Sequence, residues 1–135
     1  MGICPNQFYI NFISASINKI ISTYDSEQIC EELFESLRIN LIKGKLSRLE
    51  MSNTEADLSM SVFYESGLSH LGVIDSYNDI NYYYNDGSGN NSLIPIDGDV
   101  FRKWMVCEND DLLWEAVLFF AHKGKRISKI NWVKE

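Results

Sequence analysis

Basic residues are scarce in this chain: among 135 residues, twelve lysines and arginines face nineteen acids, a net charge of -7. A molecule of that sign repels nucleic acid and anionic membrane, so neither is an expected partner. Cysteine is nearly missing too. Cys4, Cys30 and Cys107 are odd in number and irregular in spacing, which gives neither a disulfide framework nor a zinc site and points to a reducing compartment. Long apolar runs are absent. The most apolar stretch, LLWEAVLFFA at 112–121, is about half a membrane span and contains Glu115. The opening MGICPNQF lacks the basic and apolar regions of a secretory signal, and Asn6 stands where a myristoylation motif wants Ser or Thr. The expectation is a soluble, cytoplasmic protein.

Catalytic equipment is equally thin. His70 and His122 are the two histidines, and neither sits in a metal or nucleophile motif. His122 falls in the basic stretch HKGKR, where a solvated turn explains it, and Cys107 is flanked by apolar residues as a core thiol would be. DGSGNN at 86–91 lacks the Lys-Ser/Thr of a phosphate loop. Asp86, Ser88, Asn90, Ser92, Ile94 and Asp97 fall in a calcium-loop register, but Asn91 replaces the turn glycine and the last ligand is Asp rather than Glu. No catalytic residue, metal or cofactor is expected, and the chain reads as a binder rather than an enzyme.

What is present is the composition of one folded domain spanning 1–135, with 45% apolar and 23% charged residues. Phe8, Phe12, Ile13, Ile17, Ile20, Ile21 and Tyr24 recur at steps of three and four, which predicts a first helix. Asp25 and Gln28 suit a capping box for a second helix, whose apolar face is Ile29, Leu33, Phe34, Leu37, Leu41 and Ile42 and which stops at Gly44. An antiparallel helical hairpin over 6–43 is the expectation. From 44 to 135 the chain reads as sheet-forming. Leu58, Met60, Val62 and Tyr64 alternate with Ser59, Ser61, Phe63 and Glu65, while KLSRLEMS is a weaker strand whose alternation slips near Ser47. NYYYN at 81–85 is β-prone. GDVFRKWMVC could be a short helix. The run 112–121 fits a strand or a buried helix ending at Gly124; its β-branched and aromatic content favours a strand, with HKGK turning into RISKINWVK as a closing hairpin. The predicted class is α+β, two N-terminal antiparallel helices packed on one face of a mostly antiparallel sheet.

Charge is unevenly spread. Residues 76–111 carry a net -5, and the last 24 residues carry +3. Asp75, Asp79, Asp86, Asp97, Asp99, Glu108, Asp110 and Asp111, interleaved with Tyr82 and Tyr84, are the candidate contact face for a basic protein partner, tyrosine giving area and carboxylates giving steering. The alternatives kept open are a small enzyme and a homodimeric adaptor.

The helical opening FYINFISASINKII and the stretch WEAVLFFAHKGKRISKINW, read with the size and acidity, resemble the immunity proteins of bacterial polymorphic-toxin and contact-dependent growth inhibition systems. The resemblance is one of pattern over most of the chain. It implies an antitoxin that binds a cognate toxin domain, a basic nuclease such as a tRNase at the C-terminus of a large exported protein, and blocks its active site or substrate cleft as a heterodimer.

Overall fold

The computed structural model describes residues 8–14, 20–25 and 30–135, with side chains from Cys30 onward. Two strands, β1 (Phe8–Ser14) and β2 (Ile20–Asp25), occupy the segment expected to hold the first helix. They pair antiparallel, Tyr9 with Asp25 and Ile10 with Tyr24. The anticipated helical hairpin over 6–43, and with it the pair of N-terminal helices packed on the sheet, is therefore not formed: one helix lies in that stretch, at Glu31–Ile42, and the second comes late, at Asp110–Lys123. Phe8, Ile10 and Phe12 alternate with Tyr9, Asn11 and Ile13, so the same residues satisfy a period of two, and pairing with β3 decides the matter. Asp25, expected to cap a helix, ends β2, and Gln28 lies outside the described residues.

The first helix, α1, spans Glu31–Ile42 and buries Phe34, Leu37 and Leu41. It ends in a Schellman motif. The Gly44 N–H donates to the Leu41 carbonyl and the Lys45 N–H to Asn40, with Gly44 at φ 78°. Four strands follow in a meander: β3 (Leu46–Asn53), β4 (Leu58–Glu65), β5 (Leu68–Asp75) and β6 (Ile80–Tyr83). A small hairpin, β7 (Leu93–Ile96) and β8 (Asp99–Arg102), runs into one 3-10 turn at Lys103–Met105. The second helix, α2, is Asp110–Lys123, and β9 is the two-residue Val133–Lys134.

The second correction falls on α2. The run at 112–121 is helix, not strand, and RISKINWVK makes no hairpin with it; Val133–Lys134 pairs with β6 instead. Both ends of α2 carry its capping chemistry. The Asn109 side chain accepts from the Leu112 N–H at 3.1 Å, Asp110 and Asp111 occupy the first turn, and Gly124 closes the helix at φ 70°. The GDVFRKWMVC stretch, a possible short helix, holds β8 and the 3-10 turn.

The seven-stranded sheet has the order β2-β1-β3-β4-β5-β6-β9, and every pairing is antiparallel. One face carries the core. Leu49, Met51, Met60, Val62, Leu71 and Val73 line it, in register as Leu49–Val62–Leu71 and Met51–Met60–Val73. Phe34 and Leu37 of α1 and Trp114, Val117 and Phe120 of α2 close over them, with Phe34 and Trp114 edge to face at 6.1 Å. The opposite face is capped by the β7–β8 hairpin. Phe101 stacks on His70 at 4.4 Å and meets Phe63 edge-on at 5.3 Å, while Arg48 lies 4.4 Å over Phe63. This second cover explains why β5 is buried at five consecutive positions instead of alternating. The architecture is thus a sheet with two helices on one face and a hairpin on the other. No helix among the described residues is long and apolar enough to cross a membrane.

Candidate functional site

Of the ten residues expected to form one acidic face, the eight acids lie at two opposite ends of the sheet. Strand β5 runs from its pairing with Cys107 at Ser69 to Asp75, a length of about 20 Å. Asp75 and Asp79 stand at its far end; Asp86, Asp97, Asp99, Glu108, Asp110 and Asp111 gather around its start.

The group at the start of β5 is spent internally. Arg48 binds Asp97 at 2.7 Å through Nε and Asp99 at 3.3 Å through Nη2, clamping the hairpin turn to β3. Lys103 reaches Glu108 at 2.7 Å and Asp86 at 3.7 Å. The Glu108 contact first, then Asp86, holds the Lys103 ammonium above its usual range. Arg38 pairs with Asp111 at 2.9 Å, and Asp110 accepts from the Tyr64 hydroxyl at 3.0 Å. Desolvation, then this bond to a carboxylate, raises the Tyr64 phenol. The loop after β6 is self-bonded too. Asp86, Ser88 and Asn90 each accept the backbone N–H two residues on, so the oxygens counted as calcium ligands in the sequence support a ladder of Asx and Ser turns. The bond from Ser88 holds the Asp86 carboxyl below its usual range.

The tyrosines divide by strand parity. Tyr82 and Tyr84 point to the core face and pack against it, with Arg126 stacked 3.6 Å from the Tyr82 ring. Desolvation, then the neighbouring Cys107 and the carboxylates Asp86 and Glu108, push the Tyr84 phenol up to about 12. Tyr83 faces the other way, against His70. None of the three is an open contact residue. Among the tyrosines whose side chains are described, the free one is Tyr77, 82% exposed, which was not among the selected residues.

Tyr77 belongs to an acidic group left open. The β3–β4 loop at 54–57 and the β5–β6 loop at 76–79 are both four residues long and both end in an aspartate at φ 56°, Asp57 and Asp79. The Ser76 N–H donates to the Asp57 carbonyl at 3.0 Å, which locks the loops side by side. Glu55, Asp57, Asp75 and Asp79 therefore share one end of the sheet, and none of them makes an ion pair among the described residues. Asp75 accepts twice from Asn78, and these bonds lower its carboxyl, with a smaller contribution from Arg126. Beside the loops Ile74 is 43% exposed. The signal for this pairing was in the sequence, as two loops of similar length each closing on Asp. The helix side of the same end is basic. The Asn53 side chain donates to the Gly124 carbonyl at 2.9 Å, which brings the stretch from Lys123 to Arg126 beside the β3–β4 loop.

Two concave features stand out on the surface of the described residues. A groove of about 720 Å³ runs between α1 and α2, floored by Phe34, Trp114 and Phe119 with Glu35, Arg38 and Lys123 on its rim. A cleft of about 560 Å³ opens at the C-terminal end of α1. His70 and Cys107 line neither. His70 is buried between Phe101 and Tyr83 with Nδ1 2.9 Å from the Met105 carbonyl, and the Cys107 thiol donates to the Asn109 carbonyl. Among the described residues no group of His, Cys, Asp and Glu is arranged to hold a metal ion.

No protein-family model matches the chain, and no curated protein matches its sequence. A solved crystal structure of a hypothetical protein from Neisseria gonorrhoeae superposes with a TM-score of 0.61 over 95% of each chain at 16% identity. That likeness is one of fold.

Proposed function

We propose that this domain is an immunity protein, an antitoxin that binds a cognate bacterial toxin domain stoichiometrically and blocks its active site or substrate cleft. The observation that carries the reading is the pair of locked loops: four carboxylates without ion pairs beside an exposed tyrosine and isoleucine. Rigid loops lose little entropy on docking, and unpaired carboxylates steer a cationic surface without first breaking internal bonds. A nuclease surface that holds phosphate with lysine and arginine has the complementary charge. The acids at the start of β5 contribute to the long-range field and not to direct contacts, because each would have to surrender an existing partner. With Lys123, Lys125 and Arg126 on the helix side of the same end, the partner surface is bipolar, cationic opposite the loops and less so beside them.

The test is to seek a large exported protein encoded next to this chain and to co-express its C-terminal domain. Rescue of growth and a one-to-one complex support the reading; a neighbour without a toxic domain, or a toxin that kills regardless, overturns it. Within the complex, Asp57→Lys, Asp75→Lys and Asp79→Lys together should slow association by roughly 10- to 100-fold at low salt and flatten its salt dependence. The same reversal at Asp97, Asp99 and Asp111 should cost folding stability first. Equal association rates for the loop variant and the parent would remove the acidic loops from the interface.

A further inference from the structure

The groove between α1 and α2 is an apolar opening in the helix layer. Ile39 stands 50% exposed in it, and Leu118 and Phe119 are only partly buried. A contiguous apolar opening on a small domain marks a surface that a partner covers. The charge around it says which partner. Residues 30–43 and 110–132, which hold both helices and the segment after α2, carry six acids and six bases. The entire acidic surplus therefore lies in the rest of the chain. A cationic toxin surface gains no attraction by approaching the helix layer, whereas a second copy of the chain meets no net repulsion there.

The arrangement of those charges is complementary to itself. Arg38, near the end of α1, binds Asp111 in the first turn of α2, and Phe34, one turn earlier, meets Trp114, one turn later. The helices are thus antiparallel, and the acidic first turn of α1 lies toward the basic last turn of α2. The charge of opposite sense on each wall is neutralised within the chain, Arg38 by Asp111 and Glu115 by Lys129, both at 2.9 Å. The sign of the α1 wall is then set by Glu31 and Glu35 and that of the α2 wall by Lys123, all three exposed. A two-fold axis along the groove lays α1 of one copy over α2 of the other, with Glu31 and Glu35 of each facing Lys123 of the other. An axis across the groove would set α1 on α1, where the acidic first turn finds a last turn with no basic residue. The first arrangement is an antiparallel four-helix bundle with opposed helix dipoles, and Ile39, Leu118 and Phe119 of both copies fill its centre.

We propose that the groove binds a second copy of this chain, the two helix layers closing into a four-helix bundle between two sheets. The inference goes beyond the antitoxin reading and needs no toxin. Asp57, Asp75 and Asp79 do not line the groove, so each copy keeps its acidic loops outside the contact. Helices of 12 and 14 residues make a contact face about 20 Å long and two helices wide. That is at the small end of stable interfaces, and the dimer should dissociate in the micromolar range.

The experiment is sedimentation velocity on the full chain from about 1 μM to about 1 mM. A shift from the mass of one chain to that of two is expected within this range. Ile39→Lys, which puts a charge at the centre of the bundle but is half exposed in the single chain, should abolish the dimer and keep the far-UV spectrum of the parent. Glu31→Lys with Glu35→Lys in one variant, and Lys123→Glu in another, should each weaken the dimer by roughly tenfold. An equimolar mixture of these two variants should recover the parent affinity, a result that misfolding of either could not produce. The mass of one chain at every concentration, a dimer indifferent to Ile39→Lys, or a mixture no stronger than its components would each overturn the proposal. A chain that stays single yet captures the toxin refutes this inference and leaves the antitoxin reading intact. A dimer that captures no toxin does the reverse.

Discussion

Mild acid should loosen the hairpin cover through His70. The imidazole is 5% exposed, stacked on Phe101 and bounded by Tyr83 and the Met105 carbonyl. A carbonyl only accepts, so Nδ1 carries the proton of the neutral ring. Burial lowers the His70 pKa, with the Met105 bond a smaller opposing effect. The unfolded chain therefore takes up a proton near the ordinary histidine pKa of about 6.5, while the folded chain resists it. Stability is complete above that value and falls as pH drops from there toward the lower folded-state pKa. Each unit costs about 1.4 kcal/mol, so the loss by pH of about 5 has a ceiling of about 2 kcal/mol, or roughly 6 °C in Tm at this chain length. The assay is thermal or urea melting from pH of about 7.5 to about 5, above the range in which the carboxylates titrate. His70→Phe keeps a ring against Phe101 and should show a nearly flat profile. If His70→Phe loses stability in parallel with the parent, the buried imidazole is not the group that titrates.

Four further substitutions test α2 and the sheet. Asn109→Ala removes the oxygen that accepts from Leu112 and should cost about 1 kcal/mol in urea melts, with the loss of helicity confined to α2. Gly124→Ala places a side chain at φ 70° and should cost about 1–2 kcal/mol; an unchanged stability would mean that α2 does not end there. Met60→Ala, at a fully buried position at the centre of the sheet, should cost about 2–5 kcal/mol, whereas Ile74→Ala on the same sheet should stay within about 0.5 kcal/mol, because Ile74 is 43% exposed on the side away from the helices.

The two errors of secondary structure mirror each other: the first trusted period, the second residue composition, over boundary. In FYINFIS, Phe8, Phe12 and Ile13 sit at helical steps, but Phe8, Ile10 and Phe12 alternate equally well, and β-branched residues favour the extended form. Nothing within seven residues arbitrates; the partner strand Leu46–Asn53, some forty residues away, does. In LLWEAVLFFA the apolar run was too dense for its period to be visible, yet the ends were explicit: Asn109 as cap, acids at 110 and 111, His122 and Lys123 in the last turn, Gly124 beyond. Where buried runs are short, capping residues hold more information than the run itself. Asp97-Gly98 between LIPI and DVFR was likewise a strong two-residue hairpin signal, hidden because the stretch after it was read as a possible helix.

The same distinction governs the site. Net charge weighs every acid equally, but a carboxylate is available to a partner only if its own fold has not used it. Asp97 is used by Arg48, 49 residues away in the chain, and Asp111 by Arg38, 73 away, so no local pattern could have announced either pairing. The pairings that local sequence does encode are of another kind: Asp75 with Asn78, Asp86 with Ser88. Each of these bonds lowers its carboxyl, which keeps the charge while fixing the loop that bears it. A fixed, ionised carboxylate without a cation is better suited to recognition than a mobile one, because its geometry is set before the partner arrives. By that criterion the locked loops around Asp57, Asp75 and Asp79 are fit to meet a partner. The larger cluster around Arg48 and Lys103 is fit to hold the hairpin in place. Composition gave both groups the same weight; only the register of β3, β4 and β5 separates them.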